Sequence, residues 1–246
     1  MAFFRIKNSV GFVTGTNRER GIGRAVVRAL LARGARAVYA TARDVGQLAD
    51  LVREGEGRVV AVQLDVTDER AIETLGERYP DVNLVVNNAG LFGGSDALGD
   101  AAAAQREMLV NYTAPMLITK SFAPTLGKHA SSAVVNVNSI ASLINFPLGT
   151  TYSASKAASH SLTQAQRREL APNGTLVIGL YPGPTDTEMA DPLTLPKVPS
   201  RVVAEALLDG LERGVEDVFP DPMSQQLFEA WKLDSKAVER NIASVI

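Results

Sequence analysis

Tyr152 and Lys156 are the residues of this sequence whose types and spacing most clearly suggest chemistry. Residues four apart lie on the same face of a helix. A phenol titrates near pH 10 in water, and an ammonium group within about 4–6 Å lowers such a pKa by roughly 1–3 units. We therefore expect Lys156 to prepare Tyr152 for proton exchange at neutral pH. Ser139 and Asn111 are polar residues that could join the pair, although a Tyr and a Lys at this spacing also occur on ordinary helices.

A glycine-rich turn follows the first apolar run and reads TGTNRERGIG over residues 14–23. Glycines let the backbone approach a pyrophosphate, and the start of the next helix offers free N–H groups to it. The turn therefore predicts a dinucleotide site. Its expected contacts are Gly15, Asn17, Arg18, Arg20, Gly21, Ile22 and Gly23.

The end of the second apolar run indicates which dinucleotide is bound. Folds that select NAD place an acid there, which binds the ribose 2′-hydroxyl. This sequence has Ala42 and then Arg43 at that point, and an arginine binds a 2′-phosphate through charge-assisted hydrogen bonds. With Arg18 or Arg20 close by, the sequence predicts NADP(H), without deciding between these two arginines. Asp44 would be the ribose acid if the register were shifted.

Short apolar runs alternate with longer helical patterns along the whole chain. The predicted strands are 10–14, 37–41, 59–64, 84–87, 133–138, 175–181 and 216–219. The predicted helices are about 22–33, 45–53, 68–78, 100–126, 152–171, 199–213 and 223–243. Continuous apolar runs are typical of strands covered on both faces. The pattern predicts a doubly wound, parallel, seven-stranded α/β sheet of the Rossmann type, and no linker divides residues 1–246 into more than one domain.

These motifs, in this order, resemble the short-chain dehydrogenase/reductase family over essentially the whole chain. The matching segments are TG and GIG within 14–23, LDV at 64–66, NNAG at 87–90, Asn111, NVNS at 136–139, YSASK at 152–156 and PGPTDT at 182–187. The resemblance implies that Tyr152 donates a proton and that Lys156 also binds the nicotinamide ribose. It implies that Ser139 holds the substrate oxygen and that Asn111 anchors a water of the proton relay.

The same resemblance implies further cofactor contacts. They are Asp65 and Val66 at the adenine, Asn88, Ala89 and Gly90 along the ribose and ring, and Pro182, Gly183, Thr185 and Thr187 at the nicotinamide and its phosphate. The sequence departs from the family in the glycine turn, where five residues, not three, separate Gly15 from Gly21. These two extra residues either bring an arginine to the phosphate or bulge into solvent.

The expected substrate walls are mostly apolar. They comprise Leu91 and Phe92, the segment 143–148 with Leu143 and Phe146, and the segment 189–195 with Met189. Together with Ser139 they predict a hydrophobic ketone or aldehyde, or the matching alcohol, in an open pocket.

Composition excludes several other classes of protein. A net charge of −2 argues against a general binder of nucleic acid or membrane surfaces. The absence of cysteine excludes disulfides and thiolate chemistry, and we expect no metal site. No apolar stretch is typical of a signal peptide or a membrane span, so we expect a cytoplasmic protein. Relatives commonly pair through the helices at 100–126 and 152–171, so we expect a homodimer or homotetramer.

Three rival interpretations remain. Enoyl-thioester reductases of the same superfamily space their tyrosine and lysine more widely, and extended epimerases or dehydratases are longer. A redox sensor that binds NADP without catalysis would share the fold, although such proteins typically lose the tyrosine or the lysine.

Overall fold

The computed structural model describes residues 3–242, with Leu148 described by its backbone only. Its main feature is a seven-stranded sheet, and all the pairings in this sheet are parallel. The strands in chain order are β1 (Val10–Val13), β2 (Ala37–Ala42), β3 (Val59–Gln63), β4 (Leu84–Asn87), β5 (Ser132–Val137), β6 (Thr175–Leu180) and, at the edge, β9 (Asp217–Val218). A separate small pair joins β7 (Thr185–Asp186) to β8 (Val198–Pro199).

The strand order in the main sheet is β3-β2-β1-β4-β5-β6-β9. The chain thus builds outwards from β1 in one direction and then returns to build from β4 in the other. This is the doubly wound arrangement expected from the sequence. Because β1 and β4 are parallel neighbours, their carboxyl ends lie side by side and leave a crevice between the loops that follow them.

Helices cover both faces of the sheet. They are α1 (Ile22–Ala32), α2 (Ala49–Glu54), α3 (Glu69–Glu73), α4 (Leu75–Arg78), α5 (Ala101–Met108), α6 (Ala114–Leu126), α7 (Thr150–Leu170), α8 (Ser200–Arg213), α9 (Pro222–Leu233) and α10 (Ser235–Ile242). One apolar core includes Leu30 of α1 and Leu207 of α8, and the other includes Ile118 and Phe122 of α6. The continuous apolar runs of the sequence are therefore strands that are buried from both sides.

Three predicted helices are divided in the structure. The stretch 68–78 forms α3 and α4, which meet at Thr74. The stretch 100–126 forms α5 and α6, joined by a π-helical turn at Leu109–Thr113. The stretch predicted over 223–243 is interrupted at Asp234, and residue 243 lies outside the described residues.

A buried row of polar side chains joins the middle of the sheet to α7. Asn136 of β5 donates to Thr163 and to Gln166 of α7 at 2.9 and 2.8 Å, and its amide oxygen accepts from Asn87 of β4. Buried polar groups stabilise a fold only when they are paired. These bonds fix the position of α7 along the sheet. They therefore also fix where its first two turns lie relative to the carboxyl ends of the strands.

Candidate active site

A cavity of about 830 Å³ opens at the carboxyl ends of the parallel strands. Most of the residues expected to contact a cofactor or substrate line it. They are Gly15, Asn17, Arg18, Gly21, Ile22, Arg43, Asp65, Val66, Asn88, Ala89, Gly90, Leu91, Phe92, Ser139, Phe146, Tyr152, Lys156, Pro182, Gly183, Thr185, Thr187 and Met189. Four others do not line it: Arg20, Gly23, Asn111 and Leu143.

The glycine turn is fitted closely to the loop that follows β4. Gly15 has a φ of +69°, and a Cβ atom there would lie 2.8 Å from the Cα atom of Ala89. Asn88 donates its side-chain amide to the carbonyl oxygens of Thr14 and Gly15 at 2.8 and 3.0 Å. Gly23 gives α1 room to pass Asn88, because a side chain at residue 23 would overlap the amide. Gly23 therefore shapes the cavity without lining it.

Thr14 adds a second tie between these loops, to which the sequence assigned no role of its own. Its hydroxyl accepts from the backbone N–H groups of Asn88 and Ala89, at 3.0 Å in both cases. These hydrogen bonds fix the glycine turn and the loop after β4 relative to each other. Both loops present backbone to the cavity.

Arg18 and Arg43 differ from the neighbouring arginines in having no ion pair among the described residues. They line a smaller cavity of about 410 Å³ together with Asn17, Gln47 and the acids Glu19, Asp44 and Glu188. Both arginines, Asn17 and Glu188 also line the larger cavity. Asp44 uses a carboxylate oxygen to accept from the N–H of Gly46 at 2.9 Å, so it caps the turn after β2. The register is thus the one assumed, with Ala42 ending the strand.

Arg20, the second arginine expected at the phosphate, points elsewhere. Its guanidinium binds Asp186 at 2.7 Å and both carboxylate oxygens of Asp191 at 2.7 Å. Its backbone N–H donates to Glu188 at 3.2 Å. The expectation that Arg20 contacts the cofactor is not met, because three acids of a segment distant in sequence engage it. Glu19, the residue before Arg20, binds Arg24 and Arg28 of α1, so this part of the lengthened glycine turn is not a free bulge.

Asp65 stands at the end of the cavity beyond β3. Its carboxylate accepts from the backbone N–H of Thr67 at 2.9 Å and from the hydroxyl of Thr67 at 2.7 Å. These hydrogen bonds, the backbone one first, lower the pKa of Asp65 from its usual value. The side chain is thus held as an ionised acceptor.

Tyr152 and Lys156 face the cavity from the first two turns of α7. The ammonium of Lys156 lies 5.7 Å from the centre of the Tyr152 ring and donates to the carbonyl oxygen of Val137 at 2.7 Å. The hydroxyl of Ser139, which follows β5, acts on that of Tyr152 and lowers its pKa. The end of β5 and the start of α7 thus bring these groups together, across 13 residues for Ser139 and Tyr152 and 19 residues for Val137 and Lys156.

The pKa of Tyr152 moves opposite to the sequence-based expectation. Burial raises it to about 12, the charge of Glu107 adds to this effect, and the hydrogen bond with Ser139 opposes it. Burial lowers the pKa of Lys156 to about 8. The expected acidification fails because the cost of removing a phenolate from water exceeds any attraction by the ammonium, which is bonded to Val137. Tyr152 is therefore protonated at neutral pH.

Asn111 lies in the π-helical turn and is fully buried behind the cavity wall. Its amide accepts from the backbone N–H of Leu91 and donates to the carbonyl oxygen of Leu91, both at 2.8 Å. It also donates to the hydroxyl of Ser155 on α7 at 2.9 Å. π-helical turns inside α-helices are frequent at functional sites. Here the turn directs the amide of Asn111 both at Leu91 of the cavity wall and at Ser155 of α7.

The wall next to Tyr152 is mostly apolar. The ring of Phe92 meets that of Tyr152 edge-on, with the centres 5.3 Å apart. Phe146 and Met189 also line this part of the cavity, whereas Leu143 does not, because the chain turns away after the short helix at Ile140–Ser142. Arg106 lines the cavity as well, and its side chain lies 3.6 Å from Asp100.

Two buried acids near the cavity were missed by the sequence analysis. Asp221 accepts from the backbone N–H of Gly183 at 2.8 Å and caps α9, which ties the C-terminal helices to the cavity wall. Glu107, one helical turn before Asn111, is also fully buried. The four-residue spacing to Asn111 was a signal that could have placed Glu107 on the same helix face.

Residues 3–242 contain neither a candidate metal site nor a candidate membrane-spanning helix. No group of three or more histidine and acidic side chains is arranged to hold a metal ion in this part of the chain. No helix in the same range has the length and apolar character to cross a membrane.

Comparisons with known proteins agree with this architecture. A family model described as short chain dehydrogenase matches residues 10–197. A short chain dehydrogenase from Burkholderia cenocepacia, solved in complex with NADP, is 36% identical with a TM-score of 0.90, covering 97% of this chain and 98% of its own. An uncharacterized oxidoreductase from Staphylococcus saprophyticus is 30% identical over 85% of this chain and 93% of its own. A 3-oxoacyl-(acyl-carrier-protein) reductase from Synechocystis is 31% identical over 75% of this chain and 77% of its own.

Proposed function

The chain belongs to the short-chain dehydrogenase family of oxidoreductases, and we propose that it uses NADPH to reduce an apolar ketone or aldehyde. The reverse reaction, oxidation of the matching alcohol with NADP, uses the same groups. The proposal rests above all on Arg18 and Arg43, two arginines at the cavity that have no ion pair among residues 3–242.

Arg18 and Arg43 support the choice of NADP(H). Several arginines of the first 43 residues, including Arg20, Arg28 and Arg33, are paired with carboxylates. Within residues 3–242, Arg18 and Arg43 have no such partner, and both face the smaller cavity. Arg43 after β2 and Arg18 in the glycine turn thus offer two guanidinium groups to a 2′-phosphate, and Ala42 leaves no acid at the end of β2 to repel it. The relative from Burkholderia cenocepacia was solved with NADP.

The residues of the larger cavity fit the rest of the dinucleotide. The turn at Gly15 and Gly21 presents backbone where a side chain would collide, with Ala89 in the first case and with Arg18 in the second. Asp65 is an ionised acceptor suited to the adenine amino group, and Asn88 and Gly90 continue the path towards Lys156. When bound, the cofactor supplies a hydride to the carbonyl carbon and leaves a positively charged ring.

Tyr152 is the proposed proton donor. With a pKa of about 12 its hydroxyl is protonated at neutral pH, as donation to a carbonyl oxygen requires. Ser139 lines the same cavity as Tyr152 and would hold the substrate oxygen beside this hydroxyl. Lys156, which is still largely charged at neutral pH, would bind the ribose hydroxyls from the floor of the cavity.

Asn111 is proposed to position the site. Its amide nitrogen uses both hydrogens, on Leu91 and on Ser155, and its oxygen keeps one acceptor site beyond the bond from Leu91. That site suits the relay water implied by the family resemblance. Removal of this amide would release the backbone of Leu91 and the hydroxyl of Ser155 on α7 together.

The substrate class follows from the wall beside Tyr152. Phe92, Phe146 and Met189 present apolar surface, which favours ketones and aldehydes with aromatic or aliphatic substituents. The segment from Glu188 to Pro199 holds only a three-residue helix and the strand β8, so no large lid covers this wall. We therefore propose a permissive pocket.

We also propose that the protein forms a homodimer or homotetramer through α5, α6 and α7. Ala154, Ala157 and Ser161 form an exposed stripe of small side chains along α7, which permits close helix packing. Sedimentation of the protein at micromolar concentration should give at least twice the mass of one chain, 26.2 kDa.

Turnover of NADPH tests the proposed reaction. Wild-type protein should consume NADPH with members of a panel of aromatic and aliphatic carbonyls. Tyr152→Phe should bind NADPH normally and lose about 10²- to 10⁴-fold in rate, as expected for removal of a general acid. Tyr39→Phe, a tyrosine of the sheet that binds Asp81, is the matched control and should retain activity.

Two results would overturn the proposed reaction. Full activity of Tyr152→Phe would remove Tyr152 from the chemistry. Binding of NADPH without turnover of any carbonyl would instead favour a redox sensor that uses the same fold.

A further inference from the structure

Glu107 is a fully buried carboxylate that none of the roles described above uses. It lies on α5, one turn before Asn111, and one of its oxygens accepts from the backbone N–H of Gly93 at 2.6 Å. Its other oxygen is buried and has no hydrogen-bond partner within the described residues. Carboxylates are almost never fully buried without a partner for each oxygen. A buried acid kept in this state calls for a functional explanation.

Glu107 and Asn111 hold the same short segment from one side. Asn111 binds the backbone of Leu91 through two hydrogen bonds, and Glu107 binds that of Gly93. Phe92, between these two anchored residues, lies edge-on against the ring of Tyr152. The wall segment Leu91–Gly93 is thus fixed at both ends by α5 and the turn that follows it, and it contacts the proposed proton donor in its middle.

The burial of Glu107 also decides how far a charge on it reaches. Because the site is buried, a charge on this carboxylate acts on its neighbours with little screening by water.

The charged groups around Tyr152 come from few elements. Lys156 faces it from α7, and Glu107 and Arg106 come from α5, with the side chain of Arg106 near Asp100. Ser139 and the wall segment contribute no charge, and Glu188 lines the same cavity. Glu107 is the acid whose charge raises the pKa of Tyr152.

We propose that Glu107 is a positioning residue that anchors the wall segment Leu91–Gly93 and holds Tyr152 in its proton-donating form. The overall equilibrium of the reaction is unchanged. What changes is the pH at which Tyr152 becomes able to accept a proton from an alcohol. This inference rests on the proposed role of Tyr152, and the experiment is chosen to separate the two.

The test compares wild type with Glu107→Gln in both reaction directions across pH. Glutamine keeps an oxygen for the N–H of Gly93 and removes the charge. The rate of alcohol oxidation with NADP should then reach half its maximum at a pH lower by at least about half a unit, because a buried charge nearby has been removed. The KM for the carbonyl in the reduction direction should stay within about twofold, because the anchor is kept.

Glu73→Gln is the matched control. It removes an acid from α3 whose side chain is exposed, so the pH profile of oxidation should not move. A Glu107→Gln profile that coincides with those of wild type and Glu73→Gln would overturn the inference.

Glu107→Met removes both the charge and the acceptor for Gly93, so its comparison with Glu107→Gln isolates the effect of the anchor. It also provides the test of the charge if Glu107→Gln does not fold. Methionine fills a similar volume but offers Gly93 no acceptor. It should shift the oxidation profile in the same direction and also raise the carbonyl KM by about three- to tenfold, because the wall segment is released. An unchanged oxidation profile in this variant would likewise overturn the inference.

Failure of the proposed function would look different. In that case wild type would turn over no carbonyl, or Tyr152→Phe would keep its activity. Failure of the inference alone would leave an active wild type, an inactive Tyr152→Phe and an unshifted Glu107→Gln.

Discussion

The guanidinium of Arg20 forms a two-bond ion pair with the carboxylate of Asp191, with both N–O distances at 2.7 Å. It connects the glycine turn to the segment after β7. Gly21 and Thr187, which belong to these two segments, both line the cavity, so the ion pair holds two of its walls together. Arg20, one of the two arginines between which the sequence did not decide for the phosphate, thus joins two walls of the site.

Arg20→Ala should make NADPH dissociate about two- to tenfold faster. Arg20 makes two exposed ion pairs, each weak on its own, that together join the glycine turn to the segment after β7. Displacement of NADPH followed by its fluorescence in a stopped-flow instrument measures the rate. Arg36→Ala removes an exposed arginine paired with Asp81 and is the control. Equal dissociation rates in the two variants would contradict the prediction.

Arg43→Asp should weaken NADPH binding by about 10- to 100-fold and improve that of NADH. The substitution removes charge-assisted hydrogen bonds worth about 1.5–3 kcal/mol and adds an acceptor for the ribose hydroxyl. Titration of both nucleotides gives the ratio of dissociation constants. Arg53→Asp makes the same change of charge on an exposed residue of α2 and should leave the ratio unchanged. An unaltered preference in Arg43→Asp would remove Arg43 from the phosphate site.

Lys156→Met should stabilise the protein at pH 7 while abolishing turnover. The native pKa of about 8 lies below the usual value of about 10.4, so the native state bears a cost of about 3 kcal/mol for the buried ammonium. Loss of the bond to Val137 returns about 1 kcal/mol, and we expect a net gain of about 1–2 kcal/mol in the free energy of unfolding.

Urea unfolding at pH 7 and near pH 10 checks this stabilisation. Between about pH 8 and pH 10.4 the unfolded chain binds more protons than the native one, so wild type becomes more stable as pH rises. The advantage of Lys156→Met should therefore shrink at the higher pH. Lys120→Met, at an exposed lysine of α6, should show no such change, and a destabilised Lys156→Met would refute the prediction.

The value of kcat/KM for NADPH should fall as pH rises through about 8. Lys156 loses its charge in this range, whereas Tyr152, with a pKa of about 12, stays protonated. This ratio reports groups of the free enzyme. Initial rates of carbonyl reduction from pH 6 to pH 10 provide the measurement. A profile that is flat over this range would exclude Lys156 as the controlling group.

Much of the fold could be predicted because the signals are local. Continuous apolar runs such as β4 and β5 can be buried only inside a sheet covered on both faces. Asp234, by contrast, ends α9 within a stretch that was predicted as one helix. The π-helical turn at Leu109–Thr113 was not predicted, because a shift of backbone hydrogen bonds is decided by contacts with α7 and the wall segment.

The sequence by itself determined the residue types, the order of strands and helices, and therefore which side chains follow each strand of a parallel sheet. Tyr152, Ser139 and Arg43 reach one cavity for that reason. Only the tertiary structure decided the partners of charged groups, such as Asp191 for Arg20, and the direction in which the pKa of Tyr152 moves. Both depend on distances and burial set by elements far apart in the chain, and no spacing along the sequence encodes them.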